Sequence, residues 1–362
     1  MKVVLTGGGS AGHVTPNIAI AEQLRDRGDV VSYIGSHHEM DATLVRDAGL
    51  PLTQIASGKL RRYFDWQNFI DPFRILLGIL QALAALRRLR PEVIFSKGGF
   101  VAVPVVVAAW ILRIPVIVHE SDVTPGLANR LCFPLAARIC INFEATRGMI
   151  PQRFLRAGRV SHTGTPLRKA LRDSSGDRGR RFLNLNDDPV KPLLLIFGGS
   201  LGAERINALV FEVIDQLLEG WTVVHVVGKK DFPRAPKAEN YFVYDYVGDA
   251  FGDLLAAADV VVSRAGANAL YELLAFKKPH LLIPLGAKAS RGDQIENANL
   301  FRDQGWSDVL FEQDASPSAL IQAINELWAM RAQRIQNLAR VEIGDGTGAV
   351  IKLIDEVASN KV

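Results

Sequence analysis

Short runs of β-branched and apolar residues alternate with helix-length segments along almost all of this 362-residue chain. The first half offers KVVLT, VVSYIG, PLTQIA, VIFSK, PVIVHE and RICINF; the second offers LLLIF, WTVVHVVG, YFVYDYV, DVVVSR, HLLIPL and SDVLF. Strands this uniformly apolar are buried on both faces, and the segments between them are long enough to be crossover helices. The pattern therefore predicts α/β architecture with parallel sheets covered by helices on each side. The chain is long for a single hydrophobic core, so two domains of roughly 150–200 residues are expected. The polar, turn-rich stretch RDSSGDRGRRFLNLNDDPVKP (172–192) reads as a solvent loop just inside the second half.

The two halves open alike. The first strand runs into GGGSAG (7–12), and the first strand beyond the linker runs into GGSLGAE (198–204). Each is a strand, a glycine turn and a helix start, the arrangement that puts ligands at the carboxyl edge of an open α/β sheet. Two doubly wound domains are thus expected to face each other across a cleft.

Gly7 to Gly12 fits the spacing of a dinucleotide-binding turn, but that reading needs an acid closing the second strand. Here VVSYIGS ends in Gly35-Ser36, and Glu39 and Asp41 come later. A nucleotide phosphate loop needs Gly-Lys-Ser/Thr, whereas this turn continues Gly12-His13-Val14. What survives is a glycine turn and a helix end suited to an anion, with His13 placed to touch that anion or to take a proton. The neighbouring helix N-terminus favours the neutral, basic imidazole.

Composition narrows the class further. A net charge of +4 is too mild to argue for nucleic acid. Cys132 and Cys140 lie on an apolar stretch and read as buried reduced thiols, which with MKVVLTGGG at the start suggests a cytoplasmic chain. FVAVPVVVAAWIL (100–112) is the longest apolar run, at 13 residues; a membrane span needs about 20. There is no D-x-D and no ligand-spaced His/Cys/Asp cluster, so no metal and no cofactor is expected at the chemical step.

GGGSAGHVTPNIAIAEQL, SKGGFVAVP (96–104), VHESDVTPGLANR (118–130), GTPLR (164–168), FGGSLGA (197–203), SRAGANALYE (263–272) and GDQIENA (292–298) occur in this order. Together they resemble the MurG family, inverting glycosyltransferases of the GT-B fold, with two Rossmann-like domains. The resemblance implies transfer of N-acetylglucosamine from UDP-N-acetylglucosamine to undecaprenyl-diphospho-muramoyl-pentapeptide, converting lipid I to lipid II in peptidoglycan synthesis. It also implies a peripheral location on the cytoplasmic face of the bacterial plasma membrane, roles in cell shape and division, and membership of a cell-wall enzyme complex. The implied division is an acceptor domain of residues 1–165 plus 343–362 and a donor domain of residues 166–342.

By the same resemblance, Ala267, Asn268, Ala269, Leu270, Tyr271 and Glu272 line the donor, and Glu272 holds the ribose hydroxyls. Ser200 and Arg168 serve the diphosphate, Gln294 meets the sugar hydroxyls, and Val247 meets uracil through its backbone. Ser10, Ala11 and Gly12 are implied to reach the donor from the other side. Gly8, Gly9, Gly98 and Gly99 cradle the acceptor diphosphate. His13 is the candidate base, but Asp122 stands where many relatives carry Asn and competes for that role. Ser10-Ala11, where relatives often have Thr-Gly, is the milder departure.

The segment GKLRRYFDWQNFIDPFRILLGILQALAALRRLRP (58–91) joins Lys59, Arg61, Arg62, Arg87, Arg88 and Arg90 to Phe64, Trp66, Phe69, Phe73 and several leucines. Cations beside apolar residues suit an anionic membrane surface. Residues 59–73 are read as membrane-facing, whereas Leu76, Leu80 and Leu83, at helical spacing, read as core. TGAVIKLIDEVASNKV (347–362) is expected to be a last helix that crosses back to the first domain. Rival readings are a glycosyltransferase for another lipid such as diacylglycerol, a UDP-sugar epimerase on the same scaffold, and a UDP-sugar-binding module without transfer.

Overall fold

The computed structural model describes residues 1–58, 67–185, 191–199, 203–286 and 292–359, with the backbone alone for residues 67–70. The chain divides into two compact units, Met1–Arg168 joined by the segment from Gly344 onward, and Lys169–Ile343.

The first unit carries strands β1 (Lys2–Thr6), β2 (Val30–Gly35), β3 (Leu52–Gln54), β4 (Val93–Ser96), β5 (Val116–Glu120), β6 (Arg138–Ile141) and β7 (Val160–His162). They form one sheet in the order β3-β2-β1-β4-β5-β6-β7, every neighbour parallel. The chain builds outward from β1 in one direction, then returns to place β4 on its other side. The carboxyl ends of β1 and β4 therefore flank a topological switch point, where the crossovers leave in opposite directions and open a crevice. β7 has no counterpart among the expected strands: at three residues, none of them buried, RVSHTG lacks the apolar density that marked the others.

The second unit carries β8 (Leu193–Phe197), β9 (Thr222–Val226), β10 (Tyr241–Tyr244), β11 (Val260–Ser263), β12 (His280–Leu282) and β13 (Asp308–Val309). Its parallel order, β10-β9-β8-β11-β12-β13, puts a second switch point between β8 and β11. The stretch 172–192 is corrected: residues Gly176–Phe182 form a helix packed on the helix Phe251–Ala257. A Cβ at Gly179 would stand 2.2 Å from the Asp253 carbonyl oxygen, so glycine composition here serves close packing rather than a loop.

Both faces of the first sheet are sealed. Val4, Ile94, Val105 and Leu86 belong to one apolar layer, and Leu5, Ile20, Tyr33 and Phe95 to the other. The last helix, Gly346–Ser359, adds Val350, Ile354 and Val357 to that second layer, and Arg27 grips Asp355 through both terminal nitrogens at 2.8 and 2.6 Å. Cys132 and Cys140 are buried free thiols whose pKa burial pushes up to about 12.

The helix Gln67–Leu89 corrects the core reading of Leu76 and Leu80, whereas Leu83 packs against the core. Ala82, Ala85 and Leu86 face the core, while Phe73, Leu76, Leu77 and Leu80 are 73, 55, 49 and 57% exposed. The wet stripe continues through Arg87 and Arg88, with Trp110 and Ile111 exposed on the helix Ala102–Ile111 packed beside it. Two faces of one helix are each apolar, and spacing alone does not say which meets the core. Lys59, Arg61, Arg62, Phe64 and Trp66 lie outside the described residues, and the side chain of Phe69 does too.

Candidate functional site

At the first switch point the chain leaves β1 through Gly7, Gly8 and Gly9 into the helix Ala11–Asp26. It leaves β4 through Lys97, Gly98 and Gly99, and the amide of Lys97 donates to the Thr6 carbonyl at 2.9 Å. The two turns touch. A Cβ on Gly99, which has φ +81°, would lie 2.1 Å from the Gly8 carbonyl oxygen, so only glycine lets them meet.

His13 sits in the first turn of that helix, half-exposed, with Nδ1 3.0 Å from the carbonyl oxygen of Lys97. A carbonyl can only accept, so Nδ1 carries a hydrogen, and in the neutral ring the lone pair then belongs to Nε2. Ser10 starts the helix without its hydroxyl bonding back to it. Gly9, implied to help cradle the acceptor diphosphate, has its amide engaged within the protein. Its N–H donates at 2.6 Å to the buried carboxylate of Asp41, which Ser36 also contacts at 3.3 Å. An acid five residues beyond Ser36 thus shapes the turn itself, in place of holding a ribose.

Asp122 follows β5 on a turn wound around one carboxylate. Glu120, 3% exposed, accepts from the amides of Ser121, Asp122 and Gly126 at 2.8, 3.0 and 2.9 Å and from Asn129 Nδ2 at 2.9 Å. Charge-assisted bonds to both oxygens fix the turn and hold the half-buried Asp122 at its tip. Asn129 packs against Gly98, which joins this turn to the glycines. Beneath lies Lys97, wholly buried, with Nζ 2.9 Å from His119 Nδ1 and 2.6 Å from Ser121 Oγ. Burial pushes the Lys97 pKa down to about 7, against the pull of Glu120 and Asp122. Desolvation and the neighbouring Lys97 hold the His119 pKa well below its usual value.

In the second unit, β11 runs into Arg264-Ala265-Gly266 and then the helix Ala267–Phe276, whose N-terminus has no side-chain cap. The expected donor run Ala267 to Glu272 is helical, so its side chains cannot all line one pocket. Leu270 and Tyr271 are buried, while Asn268, Ala269 and Glu272 share the accessible face. Arg264 braces the turn, donating to the Ile283 carbonyl at 3.0 Å and to Glu312 Oε1 at 2.7 Å. Desolvation pushes the Glu312 pKa up, yet hydrogen bonds from Arg264 and Gly286 hold it below the usual carboxylate range. Asn297 donates to the Ala265 carbonyl at 3.1 Å, and Gln294 Oε1 accepts from the Leu285 amide at 3.0 Å. Val247 is half-buried before the turn 248–250. Arg168 is the last residue of the first unit before the crossing. Ser200 lies outside the described residues.

Lys97, His119, Glu120, Asn129 and Asp41 were not singled out from sequence. The available signal was charge at the ends of apolar strands, VIFSK and VIVHE, where a core residue would otherwise stand. Among the described residues no group of three or more His, Cys, Asp or Glu is arranged to hold a metal ion.

Two family models match: the glycosyltransferase family 28 N-terminal domain over residues 3–141 and its C-terminal domain over residues 193–345. A UDP-N-acetylglucosamine–N-acetylmuramyl-(pentapeptide) pyrophosphoryl-undecaprenol N-acetylglucosamine transferase of Lachnoclostridium phytofermentans is 47% identical, covering 98% of this chain and 99% of the relative. The enzyme of the same name from Lachnospira eligens is 45% identical, with 98 and 99% covered. The crystal structure of Acinetobacter baumannii MurG superposes with a TM-score of 0.74 at 24% identity, covering 98% of this chain and 99% of that one. A UDP-GlcNAc 2-epimerase from Neisseria meningitidis, at 13% identity, TM-score 0.69 and coverage of 99 and 100%, shares the fold alone.

Proposed function

Since the chain belongs to the MurG family within glycosyltransferase family 28, we propose that the edge built by β1, β4 and β5 holds the base for its reaction. The enzyme moves N-acetylglucosamine from UDP-N-acetylglucosamine to undecaprenyl-diphospho-muramoyl-pentapeptide. The 4-hydroxyl oxygen of the muramoyl sugar attacks the anomeric carbon, the bond from that carbon to UDP breaks, and configuration inverts. The hydroxyl proton passes to the base as the UDP oxygen takes the bonding electrons.

One observation carries the assignment: the His13 contact to the Lys97 carbonyl, which leaves Nε2 as a proton acceptor. Asp122, presented on the Glu120 turn, is the second candidate. In the second unit, Asn268 and Glu272 share the accessible face of an uncapped helix, which suits a ribose and an adjacent phosphate. Ser200, Val247, Arg168 and Gln294 complete the proposed donor set, and Ser10, Ala11 and Gly12 the anion-facing helix end. Gly8, Gly98 and Gly99 shape the acceptor side.

Docking on the lipid is assigned to the exposed stripe Phe73, Leu76, Leu77, Leu80, Arg87 and Arg88. Among the described residues no helix is long and apolar enough to cross a membrane, and this stripe suits peripheral attachment to an anionic leaflet. The same face is offered as the one that other cell-wall enzymes would find beside the membrane.

Incubation with radiolabelled UDP-N-acetylglucosamine and a short-chain lipid I analogue, in chelator, tests the reading. Labelled disaccharide-lipid is expected. Label only on diacylglycerol would identify another glycosyltransferase, free epimerised UDP-sugar an epimerase, and UDP binding without turnover a binding module.

A further inference from the structure

Lys97 does two things at once. Its carbonyl receives the His13 Nδ1 hydrogen, and its side chain ends in the crevice wall beneath the Asp122 turn. The partners of Nζ can be read from their own bonds. His119 Nε2 lies 2.9 Å from the Gly164 carbonyl oxygen and must donate there, so Nδ1 is left to accept from Lys97. Ser121 Oγ is the other contact, at 2.6 Å. Both are neutral acceptors. No carboxylate bonds directly to Nζ among the described residues, although Glu120 and Asp122 are near enough to favour its charge.

We propose that Lys97 is a positioning residue of the transfer: a buried counter-charge that offsets Asp122 and sets the proton affinity of the edge where His13 and Asp122 stand. The groups that face its ammonium are His119, Glu120 and Asp122 at the end of β5 and Cys140 from β6, while His13 from the first helix reaches its carbonyl and neighbours His119. Two side chains, His119 and Ser121, are bonded to Nζ, so its position registers β4 against the end of β5. Its displaced pKa, about 7, means the charge changes within the working range of an enzyme. An aliphatic side chain would fill much of the volume, but it would take the donor from His119 Nδ1 and Ser121 Oγ and leave the negative charges of Glu120 and Asp122 without a buried counter-charge.

The inference rests on the assigned edge but can be tested apart from the acceptor. Carboxyl-carbon NMR of the enzyme alone follows the Asp122 titration in the parent and in Lys97→Met. Removal of the ammonium should raise the Asp122 midpoint by about half a pH unit or more. An unmoved midpoint in a folded variant overturns the proposal, whatever the acceptor. Turnover then adds the functional arm. Lys97→Met should lower kcat about tenfold while KM for UDP-N-acetylglucosamine stays within about twofold, and the acid limb of the pH profile should move upward. In Lys97→Met/Asp122→Asn the further loss should be smaller than the Asp122→Asn loss alone, because the charge being offset is gone. Losses that multiply, or a Lys97→Met profile identical to the parent's, would reduce Lys97 to a core residue. If Lys97→Met does not fold, Lys97→Gln retains a neutral N–H donor without the charge and is read by the same criteria.

Discussion

The Nδ1 of His13 and the carbonyl oxygen of Lys97 lie 3.0 Å apart although 84 residues separate them in the chain. The contact joins the helix after β1 to the turn after β4 and fixes which imidazole nitrogen can take a proton. Substitution of His13 by Ala should lower turnover about tenfold or more and leave UDP-N-acetylglucosamine affinity nearly unchanged. Asp122→Asn, tested beside it, separates the two candidates. Steady-state kinetics with donor titration is the measurement, and equal turnover in both variants and parent would remove the base from this edge.

Gly99→Ala should be far more damaging than Gly9→Ala. Both have positive φ, at +81° and +87°, but only at Gly99 would the added Cβ collide, 2.1 Å from the Gly8 oxygen, whereas nothing lies within 4 Å of it at Gly9. The shared strain is on the order of 1–2 kcal/mol, and the collision adds displacement of the glycine turn. Thermal melts and turnover should both rank the variants this way. Comparable losses would mean that the turns do not depend on their mutual contact.

Attachment to lipid should follow the exposed stripe. Phe73→Ser/Leu76→Ser/Leu80→Ser removes apolar surface that contributes little to the core. Sedimentation with anionic vesicles should fall by about tenfold or more, while turnover of a water-soluble short-chain acceptor stays within about twofold. Raised salt should weaken the parent's vesicle binding through Arg87 and Arg88, each adding about 1 kcal/mol near the surface. Unchanged sedimentation would place the docking face elsewhere.

Acid should destabilise the second unit through two buried histidines. Desolvation holds His225 down at about 3 and His280 at about 4, from an ordinary 6.5. The unfolded chain takes up these protons as pH falls below 6.5 and the folded chain does not, so stability present above that pH is lost towards pH 4. His225→Gln keeps a polar group facing Asn207 and Tyr241, its partners at 3.0 and 2.9 Å, and removes one of these protons. Urea melts from pH 7 to 4 should show a shallower decline in that variant. An identical slope would show that His225 titrates normally.

Much of the architecture is readable from local pattern. Apolar runs such as LLLIF and VIVHE form strands because a segment buried on both faces has no polar alternation to offer. The glycine turns are equally local, since positive φ excludes most side chains at the point where it occurs. β7 and the helix Gly176–Phe182 escaped because each is short and owes its stability to a neighbour: β6 for the one, the helix Phe251–Ala257 for the other.

The sequence by itself therefore determined the parallel sheets, the turns at the ends of their first strands and, through its ordered motifs, the family. Tertiary structure alone decided which groups share a site. Lys97 meets His119 and Ser121, and Asp41 meets Gly9, only because the crossovers set β2 and β4 on either side of β1 and β5 beside β4. It also decided that Phe73, Leu76 and Leu80 face solvent, since Ala82, Ala85 and Leu86 fill the space against the sheet. Periodicity acts over a few residues, whereas charge and packing act across whatever the fold brings together.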